Sequence, residues 1–147
     1  MSPLFTSETS LFQERRNWIM ANLSNPQLSI RLISNTSNTD TTANVDVALT
    51  PFESFLVNSG GLRILLKCKL IGDDSGFNGS DDDLFEFPAQ TVAADGMFTF
   101  QGTVSRGTLD EDSIGNDEIY AQFTLQSTEP SFPLAVRVNS PNISGDF

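Results

Sequence analysis

The chain has 147 residues, 38% of them hydrophobic and 18% charged, and its 8 basic and 19 acidic side chains give a formal net charge of -11. That length holds one domain with a core, not two of ordinary size. A surface this acidic repels phosphate backbones, which argues against nucleic acid as a partner and allows contact with an anionic membrane only through a bridging calcium ion.

No apolar run approaches the roughly 18 residues of a membrane span. Met1-Ser2-Pro3-Leu4-Phe5-Thr6 has neither a basic nor an apolar stretch of the kind that opens a signal peptide. The expectation is a cytoplasmic protein or one exported without a leader. The sequons at Asn22, Asn35, Asn78 and Asn142 read as chance in a chain so rich in Asn, Ser and Thr.

The first predicted element is an amphipathic helix. Ser10 can cap it, with Gln13 completing a capping box. Leu11, Phe12, Trp18, Ile19 and Leu23 share one broad face, and Ser24-Asn25-Pro26 stops the helix. The boundaries expected are an arm over residues 1–25 and a β-sandwich domain over 26–147. The arm's stripe packs on its own domain or docks on a neighbouring subunit, which makes Leu11, Phe12, Trp18 and Ile19 the candidate partner-binding residues.

After Pro26 the period becomes two. Leu28, Ile30 and Leu32 alternate with polar residues as in a half-buried strand. Residues 34–44 are almost wholly Ser, Thr, Asn and Asp and read as a polar loop, before a strand carrying Val45, Val47 and Leu49 up to Pro51. Phe52, Phe55, Leu56 and Val57 follow without a clear period, then the turn Asn58-Ser59-Gly60-Gly61.

The strongest strand runs over 62–71, with Leu62, Ile64, Leu66, Cys68 and Leu70 on one face. Cys68, the one cysteine, is thereby a small buried thiol with no disulfide to make. Further strands are expected over 84–87, 97–104, 119–126 and 134–138. Pro130, Pro133 and Pro141 bracket the last and place it at a sheet edge. Seven or eight short strands between turn-rich loops imply an all-β fold, an antiparallel β-sandwich with one N-terminal helix.

With no histidine in the chain, neither a Ser-His nor a Cys-His pair nor an imidazole zinc ligand can form. No glycine-rich phosphate loop follows a strand. The acidic residues gather in polar loops, where nothing desolvates a carboxyl into a general acid. The chain therefore reads as a non-enzyme.

Two loops stand out, Asp73–Asp83 and Asp110–Glu118. Clustered carboxylates repel one another unless water or a cation offsets the charge. Calcium takes six to eight oxygen ligands and would do so here. The alternative is a pair of solvated hairpin tips that block edge pairing.

In the second loop, Asp110-x-Asp112-x-Ile114-Gly115-x-Asp117-Glu118-x-Tyr120-Ala121 resembles the third calcium loop of C2-type β-sandwich domains. The resemblance implies Asp110, Asp112, and Asp117 or Glu118 as calcium ligands. Leu62, Ile64, Leu66 and Leu70 resemble the strand leading into the first such loop, which would hold Asp74 and Asp81. The function expected is a non-catalytic β-sandwich interaction module whose acidic loops bind Ca2+ and which meets a protein partner or a second copy of itself. The alternative is a structural or accessory subunit of a particle, filament or secretion-type assembly. A carbohydrate module ranks third, because Trp18 and Tyr120 are the only aromatics besides phenylalanine.

Overall fold

A computed structural model describes residues 20–73, 81–110 and 117–147. Among the described residues, nine strands and two helices follow in chain order: β1 (Asn22–Leu32), β2 (Asn38–Ala48), α1 (Pro51–Ser59), β3 (Ile64–Gly72), β4 (Asp82–Glu86), β5 (Gln90–Thr91), β6 (Gly96–Ser105), α2 (Arg106–Leu109), β7 (Asp117–Ser127), β8 (Ala135–Asn139) and β9 (Ile143–Gly145). One sheet has the order β1-β2-β6. The other has the order β4-β3-β7-β8, with β5 also on β3 and β9 also on β7, and every pairing is antiparallel.

The expected all-β sandwich is therefore the fold. Its chain crosses between sheets at β2 to β3, β5 to β6 and β6 to β7, a two-sheet arrangement of immunoglobulin-like kind with the fourth strand beside β3.

Alternation explains which strands are central. In β3 the residues Ile64, Leu66, Cys68 and Leu70 point inward and are at most 1% exposed, and in β7 so are Ile119, Ala121, Phe123 and Leu125. These two strands pair over nine residues, Ile64 opposite Ser127 through Gly72 opposite Ile119. A chain of rings then ties the sheets together: Phe85 to Phe87 at 5.1 Å, Phe87 to Phe100 at 5.8 Å, and Phe100 to Phe123 at 6.2 Å between centroids. Such tilted pairs contribute roughly 0.5–1.5 kcal/mol each beyond the area they bury.

Three sequence expectations are corrected here. The polar loop expected over 34–44 is confined to its first residues, because β2 already begins at Asn38. Its inward positions are Thr39, Thr41, Ala43, Val45 and Val47, so the alternation of Val45 and Val47 extends backward through two threonines. Threonine suits a strand by β-branching. Burial is tolerated because Thr39 Oγ1 donates to the Val104 carbonyl at 2.9 Å and shares a 2.8 Å hydrogen bond with Thr41.

The second correction concerns the N-terminal helix, expected to reach Leu23. Asn22 and Leu23 lie in β1, paired with Ala48 and Val47, and Leu23 is buried in the core. The strand runs through the expected 25/26 boundary. Asn25 takes a left-handed conformation (φ 53°) and the register slips between Ser24 and Gln27, so Pro26 sits at a β-bulge instead of a helix stop. The helix expectation for residues 10–19 lies outside the described residues.

Third, Phe52–Val57 is helical. Thr50 Oγ1 accepts from the Glu53 amide at 3.1 Å while Glu53 Oε1 accepts from the Thr50 amide at 2.8 Å, a complete capping box with Pro51 in the first turn. The exit from α1 needs Gly61, whose φ of 74° strains any side chain bearing a Cβ.

Candidate functional site

The acidic loops leave the sandwich from one end. The amide of Asp73, just past β3, donates to the carbonyl of Glu118 at the start of β7, at 2.8 Å. The stem of the first loop is thereby laced to the stem of the second. Asp73 Oδ2 accepts from Asn142 Nδ2 at 2.8 Å, which brings in the segment between β8 and β9. Where the first loop returns, Asp81 Oδ2 accepts from the Tyr120 hydroxyl at 2.8 Å. Beside it, Asp83 forms an ion pair with Lys69 at 3.0 Å.

The second loop leaves from α2, a single turn plugged into the core by the fully buried Leu109. Ser105 caps that turn by accepting from the Thr108 amide, and the Arg106 amide donates to Ser37 in the β1–β2 hairpin. Asp110 then stands exposed at its C-terminus. On the return, Asp117 is 2% exposed and opposes Gly145 of β9, while Glu118 faces solvent opposite Ser144.

Of the residues picked out from sequence, then, Asp81, Asp110, Asp117 and Glu118 all stand at this end of the molecule. Asp74 and Asp112 lie outside the described residues, as do Leu11, Phe12, Trp18 and Ile19. Among the described residues, no three acidic or thiol groups close on a single point as metal ligands.

Tyr120 reports on the field there. Its hydroxyl is pushed up to about 12, first by partial burial, then by the Asp81 hydrogen bond and the nearby charges of Asp81, Asp73 and Asp83. The sequence reading placed Asp73 in a calcium-binding loop and Tyr120 in the C2-like motif but gave neither a ligand role, and it did not single out Asn142 for the site. A tyrosine on the outward face of β7, three residues after an acidic step, was the one available signal.

Elsewhere the described surface offers shallow clefts. One of about 270 Å³ lies between β1, β2 and the 141–143 segment and includes no titratable side chain. Another of about 190 Å³, on the outer face of the β4-β3-β7-β8 sheet, gathers Lys67, Lys69 and Arg137 around Glu86. Cys68 is buried, and desolvation pushes its thiol up to about 12.

No protein-family model matches the sequence. No curated protein matches it either. Among solved structures, the ApaA protein of Bordetella pertussis is 7% identical, with 86% of this chain and 94% of that one covered at a TM-score of 0.45. A protein from Archaeoglobus fulgidus is 13% identical over 84% of this chain and 95% of its own, at 0.47. A late embryogenesis abundant protein is 13% identical over 96% and 80%, at 0.43. No helix among the described residues is long and apolar enough to cross a membrane.

Proposed function

We propose that the chain is a non-catalytic interaction module whose acidic end takes a calcium ion and presents it to a protein partner. The observation that carries the reading is the 2.8 Å hydrogen bond from the Asp73 amide to the Glu118 carbonyl, which holds both loop stems side by side. Loops at opposite ends would offer no common cage. The candidate ligands are carboxylates, the hard oxygens that suit calcium. Because the described carboxylates do not close a cage among themselves, the reading needs Asp74 and Asp112 to complete it. The absence of histidine and the buried, strongly protonated Cys68 favour binding over catalysis.

The resemblance to C2 calcium loops supports the same assignment. A partner carrying its own carboxylate would complete the shell, as open calcium sites accept outside oxygens. Affinity is expected to be on the order of 10⁻⁴–10⁻³ M, the range of weak extracellular modules.

Thermal melts in calcium and in chelator test this. At ~100 times the dissociation constant, calcium should add about 2.7 kcal/mol of stability. Tyr120, the only tyrosine, supplies a second readout. A cation nearby offsets the aspartate charges, so the phenol should titrate below its calcium-free value. Superimposable melts together with an unmoved tyrosine titration would remove calcium from the reading.

A further inference from the structure

Opposite the acidic end, α1 is turned with its apolar stripe outward. Phe52 and Phe55 are 61% and 60% exposed, the only phenylalanines so exposed among the described residues, while Glu53 between them is 2% exposed. The cause is local: both Glu53 oxygens are engaged inward, Oε1 with the Thr50 amide and Oε2 with the Ala21 amide at 2.9 Å. With Glu53 pointing in, Phe52 and Phe55 at helical spacing are left facing out, with Leu56 half-buried beside them. The Phe52 ring continues onto Phe132 of the β7–β8 connection at 6.1 Å, and Phe132 also lines a cleft of about 310 Å³ with Leu56 and Leu62 and the polar Arg63, Thr128 and Glu129.

Single exposed apolar residues are ordinary, but an aromatic stripe running into a cleft marks a surface built to be covered. The chain itself indicates the cover. Ala21 is buried and its amide donates to Glu53, so the described chain begins beside α1, and the 19 residues before Met20 include Leu11, Phe12, Trp18 and Ile19. Trp18 is three residues from Ala21, a reach of at most about 11 Å.

We propose that this N-terminal segment is the occupant, its stripe lying over Phe52 and Phe55 of its own chain. A tether this short gives an effective concentration in the millimolar range, which favours the segment of the same chain over that of a second copy. Glu53 then has two roles: it turns the aromatic stripe outward and, through Ala21, holds the cover at the stripe's edge.

Trp18 is the only tryptophan, so its fluorescence reads the contact directly in the full-length chain. The expected result is blue-shifted emission shielded from acrylamide. In the double variant Phe52→Ser/Phe55→Ser the emission should move to the water-exposed position and quenching should rise severalfold. Because both side chains are exposed, the fold should survive, and an unchanged far-UV circular dichroism spectrum checks this. Leu32→Ser, an exposed position at the other end, should leave Trp18 unmoved. A wild-type Trp18 as open to quencher as in the double variant overturns the proposal. So does shielding that vanishes on dilution as the mass by light scattering falls to that of one chain, which would make a second copy the occupant.

Discussion

Glu53 joins three parts of the fold through one carboxylate. It closes the capping box of α1 and receives the amide of Ala21 at the start of the described chain. In Glu53→Ala both amides, in a buried setting, lose a charged acceptor. Hydrogen bonds to charged groups contribute about 1.5–3 kcal/mol each, and a buried donor left without a partner bears its own desolvation cost. Two such bonds, discounted for water reaching the opened space, give a loss of about 4 kcal/mol. Glu53→Gln retains one acceptor oxygen but turns an amide nitrogen toward the second N–H, so about half that loss is expected. Thr50→Ala removes only the reciprocal cap bond and should cost about 1 kcal/mol.

Urea denaturation followed by circular dichroism measures all three, with an unchanged m-value confirming that the same unfolding is compared. Against a typical domain stability of 5–15 kcal/mol, the alanine variant would fold but melt far earlier. If Glu53→Ala came within about 0.5 kcal/mol of the wild type, the size of an ordinary surface substitution, the carboxylate would not be the pin described here.

Phe123→Ala removes the ring by which β7 joins the inter-sheet aromatic chain, and should cost about 3–5 kcal/mol in the same assay. Cys68 predicts an alkaline effect: its folded value, about 12 against an ordinary 9.0, means the folded state holds the proton more tightly. That stability is fully present below about pH 9 and is lost as pH rises toward 12. The advantage of wild type over Cys68→Ala should therefore shrink by about 1.4 kcal/mol per pH unit in that window, and a constant difference would contradict it. Glu53 and Asp81 lie beyond opposite ends of β3, a nine-residue strand about 27 Å long at strand rise, so the stability changes of Glu53→Gln and Asp81→Asn should add within about 0.5 kcal/mol. Measuring the double variant checks this.

The strands were legible wherever burial is one-sided. Leu62 to Ile71 and Ile119 to Gln126 alternate because each inward position meets the opposite sheet, and these are the two central strands. The first half of β2 was not legible, because Thr39 and Thr41 satisfy their hydroxyls with each other and with Val104, and composition alone cannot reveal such a pairing. Helix α1 was legible in principle: Thr50-Pro51-Phe52-Glu53 is a capping box with proline at the start. Its phenylalanines hid it, since they obey a helical period while facing away from the core. The acidic loops were legible as loops, but that their stems meet depended on β3 and β7 being partners, a long-range fact.

That pairing also explains the distribution of charge along the molecule. In an antiparallel pair, the end of one strand lies beside the start of the other, so Asp73 after β3 must neighbour Asp117 and Glu118 opening β7. The described ends of the two acidic loops are thus brought to one end of the sheet. At the other end, α1 leads into β3 and turns Glu53 inward and Phe52 and Phe55 outward. The carboxylate takes the interior because two backbone donors wait there, and the rings take the outside. An acidic end and an aromatic end are therefore consequences of one strand pairing and one capping box.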